Sequence, residues 1–309
     1  DFNSGGGAFP EAPLLKGRDG ALYGVTSDHR YDIDSPGAGK IFKINPNGTG
    51  YAVIHDFGLK TGDGNYPGFG LTEGRDGALY GTTFFGGTGD GGVVFKLRKD
   101  GSGYRVLWSL PDRSEPLGPL REGPSGLLYG ITVGGGSAHR GAIFSIDEEG
   151  HSPRVVDSFG RSAHDAQQPV GAMALDLQGN LYGGSMMGGL AGSGTLFRYP
   201  LTGPHQIIDN FNFTGGDGGY PDSPAALGTN GILYGTTISG GRLGHGTLYQ
   251  VNPDGSGYKI LANLSALPSG ITADPTNGDL YFTATGGGAP AHLIGTLYRM
   301  TQTGKLKVL

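Results

Sequence analysis

Three features of the sequence predict an all-β chain made of six copies of one four-stranded unit. The first is a repeated anchor. "ALYGVT" begins at 21, "ALYGTT" at 78, "LLYGIT" at 127, "NLYGGS" at 180, "ILYGTT" at 232 and "DLYFTA" at 279, so successive copies lie 57, 49, 53, 52 and 47 residues apart. The second is that two further anchors follow each one in fixed order. "GKIFKI", "GVVFKL", "GAIFSI", "GTLFRY", "GTLYQV" and "GTLYRM" come next, and then "GYAVIHDF", "GYRVLWSL", "PRVVDSF", "HQIIDNF", "GYKILANL" and "GKLKVL". The third is glycine, 64 of 309 residues, against a usual share of about 7%. An ordinary aromatic content and regular apolar segments argue against low-complexity disorder, so the excess marks many turns.

Each unit is justified element by element. It opens with a segment of proline and small residues, such as "PGFGLTE", "PVGAMAL" or "PSGITAD", suited to a crowded inner strand. The three anchors are short, β-branched or aromatic, and bounded by Gly, Asn and Asp, which is strand chemistry. "RDGAL", "QGNL" or "TNGIL" separates the first two strands, and "NPNGTGY", "RKDGSGY" or "NPDGSGY" the last two. Asn-Gly and Asp-Gly supply the positive φ that tight hairpins need. Four strands per repeat of about 50 residues indicate a β-propeller. The expected architecture is one six-bladed propeller over 1–309, with blades at 8–57, 66–110, 116–159, 169–211, 220–264 and 268–309 plus 1–2. The ends support closure: "KLKVL" followed by the initial Asp1 and Phe2 nearly restores the third anchor. A solenoid would need distinct polar caps instead.

The stretch "DGALYGTTFFGGTGDGGVVFKLRKDGSGYRVL" resembles the GloVer tandem repeat of bacterial surface proteins, and the likeness extends over nearly the whole chain. The resemblance implies a propeller-like fold and a secreted or surface location in a bacterium. It transfers no catalytic residues. Two copies depart from the pattern: copy four reads "LYGGSMMGG", and copy one lacks the GG pair. No anchoring tail is visible.

Composition narrows the function. A net charge of −5 disfavours nucleic acid, whose binders show a basic face. The absence of cysteine removes disulfides and thiolate metal sites. No apolar run approaches the roughly 18 residues of a membrane span. There is no G-x-S-x-G elbow, Walker loop or H-E-x-x-H. A signal peptide is not seen, and the cysteine-free, glycine-rich β chain fits a mature exported protein.

In a meander, second-to-third and unit-to-unit connections share one end. Here those loops vary in length and chemistry while the opposite turns are uniform, and variable loops on a rigid scaffold are where function concentrates. His29, His139, His245 and His292 all lie in second-to-third loops, and His164 in a unit-to-unit loop. "DHRYDIDSPGAGK" in copy one is the longest such loop and brings Arg30 and Tyr31 beside His29. The leading expectation is a carbohydrate-active enzyme, a polysaccharide lyase. β-Elimination of a uronate needs a base, an acid and a cation over the carboxylate. His139, His245, His29, Tyr31, Arg140 and Arg30 are the catalytic candidates, with Arg242, His292, His164, Arg113, Tyr66 and Tyr220 contacting substrate. Arginine suits a planar carboxylate because it bonds bidentately, and Arg161 shares this end. Tyr66, Tyr220 and Phe9 precede equivalent prolines, where a repeated structural role competes with sugar stacking. Phe84 and Phe85, and Met186 and Met187, either wall a site or pack between blades.

Three alternatives remain open. A hydrolase would draw two carboxylates from Glu11, Asp32, Asp63, Asp90, Glu115, Asp165 and Asp222. A non-catalytic surface module would bind glycans or other partners through the same loops. A metal enzyme would ring an ion with His29, His139, His245 and His292, while Asp28, Asp32 and Asp34 offer calcium oxygens without the full loop pattern or its closing glutamate. The leading reading requires no cofactor. The expected partner is a polysaccharide or oligosaccharide, with no nucleic acid and no membrane span, and the expected state is a monomer.

Overall fold

A computed structural model describes residues 9–10, 12–27, 38–58, 60–213, 216–222, 226–285 and 295–309. Every regular element among them is a β-strand. The chain divides into two compact units, Asp1–Ser158 and Phe159–Leu309, each holding three main sheets, and the first also a two-stranded one, Gly64–Asn65 with Phe85–Gly86.

In the first unit, sheet 1 runs Leu15–Lys16, Leu22–Thr26, Lys40–Ile44 and Ala52–Asp56. Sheet 2 runs Leu71–Glu73, Leu79–Thr83, Val93–Leu97 and Arg105–Ser109, and sheet 3 Pro116–Glu122, Leu128–Thr132, Ala142–Ile146 and Arg154–Ser158. In the second unit, sheet 4 runs Ala166–Leu175, Leu181–Gly188, Thr195–Tyr199 and Gln206–Asn210. Sheet 5 has Gly219–Pro221 and Ala226–Leu227 both beside Leu233–Ser239, then Thr247–Val251 and Lys259–Asn263. Sheet 6 runs Leu267–Ala273, Leu280–Thr285, Thr296–Met300 and Leu306–Val308. Each is an antiparallel meander in chain order, as the hairpin signals require. The tight turns recur with one geometry: the Gly20 and Gly77 N–H groups reach back three residues to Gly17 and Gly74, and those of Gly48 and Gly101 to Asn45 and Arg98. The pairing of Asp1 and Phe2 with the last strand lies outside the described residues.

The "LYG" anchor has a packing cause. Its glycine sits directly opposite the aromatic of the third strand, as in Gly24↔Phe42, Gly81↔Phe95, Gly130↔Phe144 and Gly183↔Phe197. A Cβ at Gly81 would stand 2.4 Å from the Phe95 ring, and at Gly130 2.2 Å from that of Phe144. The ring lies down over the glycine, so bare backbone and aromatic face cover one another. Copy six breaks the motif with Phe282. There the partner Tyr298 stacks on it instead, centroids 5.0 Å apart and planes 6° from parallel.

The cores lie between successive sheets of a unit. Tyr23 and Ile41 of sheet 1 pack with Leu79, Phe95 and Leu97 of sheet 2, and comparable clusters join sheets 2 and 3, 4 and 5, and 5 and 6. The residue just past each fourth strand enters the next cluster. Phe57 meets Phe95 and Tyr104, and Phe211 meets Tyr249 and Tyr258, edge-on or tilted at 5.1–6.3 Å. Leu110 and Leu264 take the equivalent places, and all four are at most 3% exposed. Burying such a side chain contributes about 1.5–3 kcal/mol.

A second joint links the sheets at the loop end. The glycine entering the third strand has positive φ in sheets 1, 2 and 4, +99° at Gly39, +88° at Gly92 and +97° at Gly194. A Cβ there would lie within 2.4 Å of the carbonyl oxygen of Thr26, Thr83 or Ser185, and 2.5–2.7 Å from Cδ of the next sheet's Pro67, Pro116 or Pro221. The residue before each proline is left-handed: Tyr66 (φ 63°), Glu115 (54°), Tyr220 (57°), and also Phe9 (53°) and Gln168 (53°). The N–H groups of Tyr66, Glu115 and Tyr220 donate to the carbonyls of Ala38, Gly91 and Ser193 in the preceding sheet's loop, and the carbonyls of Tyr66 and Glu115 accept from Phe84 and Val133 of their own sheet. Equivalent positions thus have one structural cause, whatever the side chain. The same left-handed residue shortens the opening strands, which pair over only two or three residues in sheets 1 and 2. In sheets 3 and 4 the register breaks at Leu117/Arg121 and Val170/Ala174, and each gap spans a positive-φ glycine, Gly118 or Gly171.

Gly92→Ala is expected to cost about 2–4 kcal/mol, because left-handed strain adds to a collision with backbone and proline. Gly20→Ala has similar strain (φ +82°) but nothing within 4 Å and is expected to cost about 1 kcal/mol. Urea midpoints of the two variants against the parent check the difference.

Candidate functional site

The second-to-third loops are built on one frame. The hydroxyl ending the second strand bonds forward to a loop carbonyl: Thr83 to Phe85, Thr132 to Gly134 and Ser185 to Met187, each at 2.8 Å, and Thr237 to Ser239 at 3.2 Å. The fourth strand supplies a second brace, in which Ser109, Ser158, Asn210 and Asn263 accept from the N–H groups of Thr88, Ser137, Leu190 and Arg242. A glycine pair then closes the loop, through Gly92 to Gly86, Gly141 to Gly135, Gly194 to Gly188 and Gly246 to Gly240. With the backbone held this way, only the tips differ.

Those tips carry most of the described candidates. His139 and Arg140 stand exposed, with His139 itself left-handed at φ 55°. Arg242, His245 and His164 are also exposed, and Arg113 is exposed 3.8 Å from Asp112. Among the described residues none of these histidines is held by a carboxylate, and no group of three or more His, Asp or Glu could hold a metal ion. His29, Arg30, Tyr31, His292, Asp28, Asp32, Asp34 and Glu11 lie outside the described residues. The ring of four loop histidines is therefore described only at His139 and His245, which belong to different units.

The structure sorts the carboxylates. Asp63 accepts from the Gly58 and Gly64 N–H groups and from the Tyr104 hydroxyl. Asp165 accepts from the Arg161 and Ala166 N–H groups and contacts His205 Nε2 at 2.7 Å, and Asp90 caps Gly86 N–H. These three are occupied in holding loops. Glu115 and Asp222 make no side-chain hydrogen bond among the described residues. Burial, opposed at Glu115 by Arg113, pushes the Glu115 carboxyl above the usual carboxylate range, and burial alone does so at Asp222.

One cluster of aromatic rings sits at this end of sheet 2. Tyr66 and Phe69 come from the opening segment, Phe84 and Phe85 from the loop after Leu79–Thr83. Centroids are 6.1 Å apart for Tyr66–Phe69, 6.2 Å for Tyr66–Phe84, 5.8 Å for Phe69–Phe84 and 4.7 Å for Phe84–Phe85. All four are half-buried. The backbone of Glu115 and Pro116 runs against the same loop, since Glu115 N–H donates to Gly91 and a Cβ on Gly92 would touch both Pro116 and the Phe84 carbonyl. In the second unit, Tyr220 has one such neighbour among the described residues, Phe213, at 6.4 Å. Phe69 escapes sequence reading because its copy-mates are not aromatic.

The opposite, turn end has chemistry that sequence reading missed. The first-turn Asp, the anchor Tyr and a third-strand cation form a recurring set: Asp19, Tyr23, Lys43; Asp76, Tyr80, Lys96; Asp176, Tyr182, Arg198. Each tyrosine hydroxyl donates to its aspartate at 2.7–2.9 Å. Lys43 and Lys96 pair with theirs at 3.3 and 2.8 Å, while Arg198 reaches Asn180. Charged residues of adjoining sheets join in, Lys99 to Asp19 and Glu73, and Lys96 to Glu149. The Tyr23 hydroxyl, helped by Lys43 and the Ala21 N–H against burial, holds the Asp19 carboxyl at about 2. Two clefts open at this end: one of about 520 Å³ lined by Asp76, Lys96, Arg98, Lys99, Arg105 and Glu149, and one of about 270 Å³ between sheets 5 and 6. Buried groups in the joints were also missed. His55 stacks on Tyr104 at 3.6 Å, and burial lowers its pKa. His205, only 1% exposed at its side chain, lies between Asp165 and Arg161.

The family model described as the Gloeobacter/Verrucomicrobia repeat matches residues 1–175 and again 116–309. No curated protein matches the chain. Among solved structures it is similar to a chain of a nidogen/laminin complex, at 16% identity and a TM-score of 0.56 over 87% of this chain and 89% of that one. It is similar to the tricorn protease at 13% identity and 0.53, over 93% of this chain and 25% of that one. A gluconolactonase from Xanthomonas campestris aligns at 17% identity and 0.50, over 80% and 79%. At these identities the likeness concerns the fold, which is propeller-like. No helix of the described residues is long and apolar enough to cross a membrane.

Two outcomes follow from the charges. Asp19 is depressed below its unfolded value of 3.8 to about 2, so its contribution is present above pH 3.8 and is lost as the pH falls towards 2. Asp19→Asn is expected to lower the urea midpoint at pH 7, and the two proteins to converge between pH 3.8 and about 2. Glu115 is shifted the other way, so its ionised form opposes folding. Glu115→Gln is expected to match or exceed the parent's stability at pH 7, with any gain shrinking on acidification as the parent's carboxyl protonates.

Proposed function

Because the chain belongs to the Gloeobacter/Verrucomicrobia repeat family, whose description names a repeat and no reaction, we propose that it is a glycan-contacting module of a bacterial surface or secreted protein. Its six main sheets act as the blades of one propeller over 1–309, closed by the two termini, and its loop end meets a polysaccharide or oligosaccharide as a monomer. One observation carries the reading: the half-buried rings of Tyr66, Phe69, Phe84 and Phe85 on a loop whose backbone is braced at three points. A rigid aromatic patch of this kind offers π-faces to the C–H faces of sugars at little entropic cost. The exposed His139, Arg140, Arg113, His164, Arg242 and His245 would add hydroxyl or carboxylate contacts at loop tips, and Tyr220 a second ring.

A hydrolytic reading is favoured by one further observation. The Glu115 carboxyl, raised by burial and unbonded among the described residues, has the property of a general acid. Elimination by His139, His245 or Tyr31 with Arg140 would need a base and a cation brought together. His139 and Arg140 are adjacent in the chain, but neither makes a side-chain bond that orients it among the described residues, so elimination ranks behind.

The double variant Phe84→Ala, Phe85→Ala is expected to weaken binding to polysaccharides about ten-fold or more, as the loss of about 1.4 kcal/mol would. Titration of parent and variant against neutral and uronate-containing polysaccharides measures this. A parent that binds none of a broad panel ends the reading. Reducing ends released by the parent and abolished by Glu115→Gln would promote the hydrolase.

A further inference from the structure

We propose that the cleft between sheets 5 and 6 at the turn end is a separate binding site for a short, uncharged saccharide. The recurring set of aspartate, tyrosine and cation explains why. At the register positions filled by Asp19, Tyr23 and Lys43 in sheet 1, sheet 5 has Asn230, Tyr234 and Gln250, with Tyr234 directly opposite Gln250 as Tyr23 is opposite Lys43. Both ionised partners have become amides. The tyrosines of the charged sets are closed in, Tyr23 and Tyr80 at 0% and Tyr182 at 1% exposure. Sheet 3 replaces the cation with Ser145, yet Ser145 and Tyr129 remain 1% and 5% exposed. Only in sheet 5 does the change to neutral groups coincide with a half-exposed tyrosine and an open space of about 270 Å³.

The lining suits hydroxyl groups. Asn230 Nδ2 donates to the Tyr234 oxygen at 2.8 Å, which leaves the Tyr234 O–H free to donate outwards. The Gln250 amide makes no hydrogen bond among the described residues, so a donor and an acceptor face the cleft together. Gln302, whose amide lies over Gly278, adds another such pair from sheet 6. Part of the lining is apolar: the half-buried Ile260 and Leu261 give surface for the C–H face of a sugar, backed by the buried Leu280 and Met300. Lys259 stands at the exposed rim. Mixed donors and acceptors beside apolar side chains fit a polyhydroxylated neutral ring, and the one cation of the lining, Lys259, stands apart from them at the rim.

The site is independent of the aromatic cluster on sheet 2, and its test keeps the two apart. Maltotriose, xylotriose and trigalacturonate are titrated against the intact chain by saturation-transfer NMR and calorimetry. The same titrations use Phe84→Ala, Phe85→Ala and Asn230→Asp, Gln250→Lys, the second of which restores the ionic set of sheets 1 and 2. Binding of a neutral trisaccharide that survives the phenylalanine changes and falls about ten-fold or more with the ionic pair is the expected result. Gln302→Ala, an exposed change, is the second probe should the ionic pair not fold, and is expected to weaken the same binding about three-fold or more. The proposal is overturned if neither neutral trisaccharide binds at about 10 mM, if the folded cleft variants bind as the parent does, if binding disappears with the phenylalanines alone, or if trigalacturonate is preferred.

Discussion

The contact on which the structure most depends is small: the ring of a proline laid on a glycine of the sheet before it. Pro67 on Gly39, Pro116 on Gly92 and Pro221 on Gly194 leave no room for a Cβ, and each glycine's positive φ turns the chain into its third strand. The residue before the proline must then be left-handed to give its N–H to the preceding loop and its carbonyl to its own sheet. Left-handed backbone costs about 1–3 kcal/mol for a non-glycine residue. It persists because bonds to both sides fix it, while Phe57, Leu110, Phe211 and Leu264 lock the far side of the same joint. Strain at Tyr66 or Tyr220 therefore needs no functional cause, although the geometry still sets where those rings point.

The loop ends inherit their rigidity from this joint. Each loop is braced by a hydroxyl from the second strand, a Ser or Asn from the fourth and a glycine–glycine bond, so chemistry can change at the tip without moving the frame. That division explains how one repeat shows aromatic rings in copy two, His139–Arg140 in copy three and Arg242–His245 in copy five. It also explains why Asp63 and Asp165, which look like free acids in the sequence, are unavailable: they hold the connections that place the joint.

The strands, the turns and the antiparallel order of the main sheets were legible in the sequence, because each rests on contacts within one copy; the short pair Gly64–Asn65 with Phe85–Gly86 and the divided opening of sheet 5 were not. "LYG" opposite an aromatic and Asn-Gly or Asp-Gly turns are local signals with local causes. What was not legible joins residues far apart in the chain. Tyr104 with Asp63, His205 with Asp165 and Lys99 with Asp19 lie 41, 40 and 80 residues apart and carry no spacing rule. The choice of the loop end as the site of interest followed from variability alone, which also hid the turn end. There the variation is subtle, Asp to Asn and Lys to Gln at Asn230 and Gln250, and it replaces a charged lining with amides without changing the length of any turn.

The proline and the glycine of each described joint belong to successive copies, so sheet 2 carries the proline half of one joint at its front and the glycine half of the next at its back. Such head-to-tail surfaces contain no local instruction to stop. A duplicated or deleted copy would still present a matching half to each neighbour. The count of sheets is therefore not written in any one joint.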